Sequence, residues 1–575
     1  MKLLQSQVAS VFKKALETVL GPLGSSAEVP EVALGVAKPQ FGDFQCNNAM
    51  SLFKSFGKDL AVKSPRELAE RISVALAGNT LFESVTVAPA GFITVKLSSS
   101  WVQAELVSAL GGEFSHNSVA PKVVAIDFSS PNIAKEMHVG HMRSTILGET
   151  IARILEDSGH TVLRINHVGD WGTQFGMLIE YIKIEFPDFL TNRPEISDLE
   201  AFYKAAKRRF DSDPDFKLFA QQRVVSLQSG DEFSRSAWRI LCDISRESFE
   251  QIYTRLGISI EERGESFYNE MIPEVVKRLS EKGLVKESDG AQCVFTSVDD
   301  VPLMAVKSDG GYGYDSTDLA AIYHRIFELK ADWMMYLTDL GQENHFLKIF
   351  DAAKMAGWVG AKRLDHVGFG MVLGEDGKRF RTRSSETVKL KDLLDEARNR
   401  AEKELRERSS SLSEAQILEA AETIGIGAVR YYDMRNSRTT NYVFSYDKML
   451  DPKGNTAVYL LYAYARICSI MRQSKVDMEV GSAGAHLCIE HPTERALALE
   501  LLKFPDMIQS ILDDLFPHKL TDYMWELSNK FTAFYMECRV VDSPEMRSRL
   551  VLCLATKKVL AKCFYFLGIK PLEQM

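Results

Sequence analysis

The chain has 575 residues, 45% of them hydrophobic and 26% charged, with a formal net charge of −9 at pH 7. That length is too great for one core and predicts three or four domains, while the acidic balance argues against a general nucleic-acid coat and leaves RNA contact to local positive potential. Eight cysteines without a C-x-x-C pair indicate neither a disulfide framework nor a cysteine zinc cluster, and fit a reducing, cytoplasmic setting.

The first twenty residues are amphipathic, with Lys13, Lys14 and Glu17, and lack the continuous apolar centre of a signal peptide, so a packed helix is expected. Residues 1–105 read as an α+β domain with strands at 84–87 and 91–97. Gly111-Gly112 and residues 115–118 mark a linker. Over 120–385 strands and helices alternate. An apolar strand at 123–126, a helical pattern over 146–155 and a strand before Val168 form a βαβ unit of a parallel sheet. A charged helical insertion is expected at about 186–257. The alternation then resumes with a strand at 331–338, a helix at 342–355 and a strand at 364–373. This is an α/β pattern, a doubly wound parallel-sheet (Rossmann-like) domain whose ligand belongs at the carboxyl ends of its strands. Over 386–575 helices are predicted at 387–408, 412–434, 456–472, 493–515, 520–537 and 544–567, an all-α bundle. The longest apolar candidate, 454–465, stops at Arg466 and is too short to cross a bilayer.

The most informative segment is Asp127-Phe-Ser-Ser-Pro-Asn-Ile-Ala-Lys-Glu-Met-His-Val-Gly-His-Met-Arg143, between the first strand and the helix that follows. A helix start offers free N–H groups and the positive dipole end, a site for phosphate. His138 and His141 fall on one face of that first turn, where both can donate to phosphate oxygens, and Gly140 leaves room for a flat base. The competing reading is a zinc site, for which the neighbourhood offers Glu136 but no cysteine. No G-x-G-x-x-G joins a strand to a helix, which excludes a dinucleotide oxidoreductase, and no G-x-x-x-x-G-K-[ST] loop is present.

The segment from Ser129 to His141 resembles the arginyl-tRNA synthetases' form of the class I "HIGH" element. Further blocks extend the resemblance nearly end to end: Phe41-Gly-Asp-Phe-Gln-Cys46, His167-Val-Gly-Asp-Trp-Gly-Thr-Gln-Phe-Gly176, Tyr314-Asp-Ser-Thr-Asp-Leu-Ala320, Gly341-Gln-Glu-Asn-His-Phe346 and Arg379-Phe-Arg-Thr-Arg-Ser-Ser-Glu-Thr-Val388. The eukaryotic cytoplasmic type is the one it is similar to. The resemblance implies an arginine–tRNA ligase: arginine and ATP, taken as its Mg²⁺ complex, give arginyl-adenylate and pyrophosphate, and the arginyl group passes to the 3′ end of tRNA(Arg) with release of AMP. No tightly bound cofactor, zinc, membrane or DNA is expected. Residues 1–105 would contact the tRNA elbow, and an anticodon-binding domain would begin at about 455.

By the same resemblance Ser130, Pro131, Asn132 and His141 line the amino-acid end, and Tyr314, Asp318 and Gln342 hold the arginine side chain. Asp318 is a carboxylate suited to a guanidinium, and equally an N-cap. The loop from Gly374 to Arg383 takes the place of the Lys-Met-Ser-Lys-Ser loop of other class I enzymes and offers Lys378 and Arg381 to ATP, beside the plain reading of a solvated basic turn. In the family a lysine at the place of Lys135 is thought to compensate for that loop, so Lys135, His138 and His141 are the catalytic set. For RNA, Tyr464, Arg466 and Arg472 are the expected contacts within a helix whose aromatics otherwise suit a core, with Arg430, Arg435 and Arg438 adding positive charge. Two other readings compete: a different class I synthetase or a small-molecule nucleotidylyltransferase, of which the latter would not need the long helical region, and a non-catalytic RNA-binding or scaffold descendant, which would not need both histidines, Asp318 and Gln342.

Overall fold

Five short strands rich in Val, Ile, Leu and Met form the central sheet: β1 (Val123–Asp127), β2 (Thr161–Asn166), β3 (Glu261–Glu262), β4 (Trp333–Tyr336) and β5 (Arg363–His366). All pairings are parallel, in the order β5–β4–β1–β2–β3. β4 is buried throughout and β1 almost so, as strands covered on both faces must be. From β1 the chain runs outward through β2 to β3, and from β4 the other way to β5. The switch point therefore lies between β1 and β4, where a crevice opens at the strand ends. The computed structural model describes residues 3–26, 28–112, 114, 120–192, 196–381, 387–408, 413–476 and 487–575. Residues 115–118 of the expected linker, and Arg383, lie outside these.

The helix after β1, α1 (Val139–Asp157), begins seven residues before the predicted pattern, because polar residues of its first two turns (Arg143, Ser144, Thr145) are buried and hide the apolar period. The expected insertion holds three helices, α2 (Ile196–Ser212), Pro214–Ser229 and Glu232–Leu256. A three-stranded antiparallel sheet at Val285–Ser288, Ala291–Val294 and Leu303–Val306 was not anticipated. The next helix, α3 (Tyr314–Phe327), leads into β4, and α4 (Glu343–Met355) follows it. The strand expected at 364–373 is two pieces, since after His366 the chain leaves the sheet and Val372–Leu373 pairs with Tyr442–Val443.

In the first hundred residues helices pack on a four-stranded antiparallel sheet, Leu34–Val36, Phe44–Cys46, Ile93–Leu97 and Phe82–Val87 in spatial order. Asp43 of this unit takes a bidentate contact from Arg495, at 2.7 and 3.0 Å, which ties it to the C-terminal helices. Those helices include α5 (Glu414–Met434) and α6 (Ala457–Ser474). The single helix expected at 493–515 is broken into Pro492–Leu502 and Phe504–Asp514, because Pro505 has no N–H to continue the ladder.

Arg430, expected to add surface charge, is fully buried on α5. Its guanidinium donates to the carbonyl of Leu567 at 2.8 Å and to that of Leu256, the terminal residues of two helices from different parts of the chain. A cation here meets the negative ends of two helix dipoles, and burial, with Arg153 nearby, pulls its pKa down to about 10, so it stays charged. Arg435 donates to the Asn455 carbonyl and lies over the Tyr432 ring; Arg438 donates to the carbonyls of Leu515 and Gly368. All three arginines donate to backbone carbonyls. Arg430→Ala should therefore destabilise the fold by about 3 kcal/mol or more, since it strands two buried carbonyls. A urea midpoint that did not move, with tRNA affinity lost instead, would return Arg430 to the RNA surface.

Candidate active site

The segment leaving β1 is strained and held on every side. Ser129, Ser130 and Ala134 have φ of 72°, 47° and 62°, left-handed values that cost energy in residues with a Cβ. Ser129 N–H donates to Ser144 Oγ, Ser130 N–H to Asn166 Oδ1 and Ser130 Oγ to Asp127 Oδ1. Asp127 is paired in turn with the buried Arg325 at 2.6 Å. Pro131 accepts from the Gly169 N–H and Ile133 donates to the Gly169 carbonyl. Gly169 has to be glycine, since a Cβ there would come within 2.3 Å of Asn132 Oδ1. Ser130, Pro131 and Asn132 are thus brought to the switch point, with Asn132 exposed.

At the start of α1 the two histidines cap the helix themselves. His138 Nδ1 accepts from the Gly140 N–H at 3.0 Å, and His141 Nδ1 accepts from the His138 N–H at 3.1 Å. The rings lie 4.0 Å apart. An Nδ1 that accepts must leave the proton on Nε2, so both rings present an Nε2–H donor. Both stay neutral at physiological pH. Burial, then Arg379 and Lys135, lowers His138 to about 4; burial, then His138 and Lys135, lowers His141 to about 3. Gly140 is confined by the His138 ring, which a Cβ at 140 would meet at 2.8 Å.

The basic loop turns beside this helix start. The Lys378 carbonyl accepts from the Gly374 N–H, Arg381 pairs with Thr387, and His138 pairs with Lys389, so the chain on either side of the loop is joined to the histidine segment. Lys378, Arg379 and Arg381 are exposed and line a cavity of about 780 Å³ with Arg400, Phe444 and Tyr446. Arg379, outside the expected ATP contacts, is the loop cation whose charge acts on His138.

Across the switch point, Asp318 lies on α3 one turn after Tyr314, which is 77% exposed at the helix start. Asp318 is no N-cap. It accepts from His345 Nε2 at 2.6 Å, and the other nitrogen of that ring stands 3.3 Å from Asp315. Burial works against a charged ring, yet the hydrogen bonds it donates to both carboxylates carry His345 up to about 9, so an imidazolium bridges the pair at neutral pH. Gln342 is exposed at the start of α4, one turn before His345. A residue the sequence did not single out completes this wall. Glu265 follows β3, its N–H donates to the Val168 carbonyl, and the neighbouring Ser266 is held by Asp170 at 2.8 and 2.5 Å. Burial, then the charges of Asp170 and Asp318, raises Glu265 to about 8, and Glu265 in turn acts on Tyr314. Among the described residues no group of three His, Cys, Asp or Glu is arranged to hold a metal.

At the far end of the helical region, α6 turns Tyr459, Tyr462 and Arg466 toward a groove of about 530 Å³ that Arg472, Thr532 and Glu573 also line. Arg466 is exposed over the Tyr535 ring, and Arg472 donates to the Glu573 carbonyl at 3.3 Å. Tyr464 was expected to stack a base and does not face the groove. It is 4% exposed, edge-on to Phe564, because two residues along a helix turn a side chain by about 200° from Arg466.

Comparison with known proteins gives the family. Residues 4–97 match the arginyl tRNA synthetase N terminal domain, 102–446 the catalytic domain of the class I (R) tRNA synthetases, and 460–575 the DALR anticodon binding domain. The chloroplastic/mitochondrial arginine–tRNA ligase of Arabidopsis thaliana is 49% identical over 100% of this chain and 90% of its own. The cytoplasmic arginine–tRNA ligase of the same plant is 46% identical over 99% of this chain and 97% of its own. The crystal structure of arginyl-tRNA synthetase from Plasmodium falciparum superposes with a TM-score of 0.89 at 37% identity, covering 100% of both chains. With a parallel sheet open at its switch point, a histidine-capped helix there and a carboxylate wall opposite, the chain belongs to the class I arginyl-tRNA synthetases.

Proposed function

We propose that this arginine–tRNA ligase runs its first step in the crevice between β1 and β4, with ATP on the α1 side and arginine on the α3 side. The observation that carries this reading is the pairing, across one switch point, of two Nε2–H donors at a helix start with the Asp318–His345–Asp315 and Glu265 wall. The arginine carboxylate oxygen attacks the α-phosphorus of ATP, taken as its Mg²⁺ complex, and the bond to the pyrophosphate oxygen breaks. His138 and His141 donate neutral N–H hydrogen bonds to the phosphates, and Lys135 supplies positive charge as pyrophosphate leaves. Lys378, Arg379 and Arg381 draw the triphosphate toward the loop. Asp318, Glu265, Tyr314 and Gln342 hold the arginine side chain, while Ser130, Pro131 and Asn132 fix its α-end. Catalysis by positioning and charge suffices, with no covalent enzyme intermediate. The ribose hydroxyl at the tRNA 3′ end then attacks the adenylate carbonyl and AMP departs.

For the tRNA, the groove with Arg466 and Arg472 is the proposed anticodon contact, with the aromatics Tyr459 and Tyr462 in place of Tyr464. The unit formed by residues 1–105 is proposed to meet the tRNA elbow. A cytoplasmic location is supported by the relatives of that name, and among the described residues no helix is long and apolar enough to cross a membrane.

Asp318→Asn keeps the side-chain shape and removes the charge facing the guanidinium. It should cost about 2–5 kcal/mol in kcat/KM for arginine, read by arginine-dependent pyrophosphate exchange with tRNA present. A value within about threefold of the original would remove Asp318 from the pocket.

Proton linkage gives an independent test. Glu265 near 8 is protonated in the empty site at neutral pH, and a guanidinium beside it lowers that value, so arginine binding releases a proton. Arginine affinity should therefore rise as pH climbs from 6 toward 8 and level off above. His345, near 9, does not titrate in this window. Calorimetry at pH 7 in buffers of different ionisation enthalpy should show about one proton released, and Glu265→Gln should abolish it. Binding heats independent of buffer would contradict the assignment.

A further inference from the structure

The helical insertion delivers one aromatic ring to the active site. Tyr203 lies on α2, and the Lys135 ammonium stands 4.6 Å from the centre of its ring. Among the described residues no carboxylate pairs with that ammonium. The helix is fixed there by its neighbour Phe202, which packs on Phe186 at 4.3 Å, and Phe186 meets Tyr181 of the helix Thr173–Glu185. Lys135 acts electrostatically on both His138 and His141, and Tyr203 acts on Tyr314. The ring therefore stands between the phosphate side and the arginine side of the crevice.

We infer that Tyr203 is a positioning residue for adenylate formation, its ring holding the Lys135 ammonium ready for the phosphates. The inference rests on the role of Lys135 proposed above. A lysine side chain is long and flexible, and a charge left to wander contributes little to a transition state. A carboxylate partner would fix the ammonium and also neutralise the charge the phosphates need. An aromatic face attracts the cation through its quadrupole, restrains it and leaves its charge whole. This gives the insertion a catalytic consequence: it places the charge that the degenerate basic loop does not bring.

The test is single-turnover adenylate formation, with tRNA present, by Tyr203→Phe, Tyr203→Leu, Lys135→Ala and the double variant Lys135→Ala/Tyr203→Leu. Tyr203→Leu should slow the step about tenfold with KM for arginine unchanged, the scale of losing one partly desolvated cation–π contact. Tyr203→Phe keeps the ring and should stay near the original rate. Lys135→Ala should be slower by about 10²–10³, and adding Tyr203→Leu to it should change nothing further. If Tyr203→Leu matches the original while Lys135→Ala is slow, the inference fails and the role of Lys135 stands. If Lys135→Ala itself is near normal, that role fails and the inference falls with it. Equal slowing by Tyr203→Leu in both backgrounds, or equal slowing by Tyr203→Phe, would make the residue a structural support of α2 or a hydroxyl contact, and would overturn the inference.

Discussion

Two backbone N–H groups at the start of α1 find their acceptors in the Nδ1 atoms of His138 and His141, and much of the site depends on that choice. A Ser or Asp cap would satisfy the same N–H groups and stop there. An imidazole cap satisfies them and keeps a second nitrogen, whose proton the cap itself assigns. Burial then holds both rings neutral, so their Nε2–H donors keep their protons across neutral pH and do not repel the cations beside them. The strained turn at Ser129–Ala134 is the cost of bringing the chain off β1 into this position, and it persists because Ser144, Asn166, Gly169 and Asp127 all bind it.

Opposite this neutral cap lies a wall of unbalanced negative charge. Asp315 and Asp318 share one imidazolium, which leaves the three groups together at a single negative charge. Glu265 adds a carboxyl that burial, and then its acidic neighbours, pushes up to about 8. In the function proposed, one side of the crevice donates hydrogen bonds to an anion and the other takes a cation. On that proposal a guanidinium fills the second side with planar donors and completes its charge balance.

The strand–turn–helix at 123–157 was legible because its motif and its elements occur in the order that the chemistry requires. So was the placement of Asp318 near the start of α3 and of Gln342 at the start of α4. Glu265 was not, because it follows a two-residue edge strand, Glu261–Glu262, that leaves no periodic trace. The partnership of Asp318 with His345 was equally hidden, since it crosses 27 residues and two helices. Tyr464 and Arg430 failed for a different reason. Both residue types are amphipathic, and a helix face that reads as aromatic and basic is outward or inward according to its rotation and its neighbours, which only packing decides. Arg430 shows the extreme case, a guanidinium whose partners are the carbonyl ends of two helices distant in sequence.

If the carboxylate wall reads charge, the decisive comparison is between arginine and citrulline, which keeps the shape and size of the side chain and replaces the guanidinium by a neutral ureido group. Pyrophosphate exchange in the presence of tRNA should show kcat/KM for citrulline lower than for arginine by at least about 10³-fold, as for a site whose buried polar groups lose their partner. Exchange with citrulline within about tenfold of that with arginine would mean that shape alone selects the substrate, and would contradict the account.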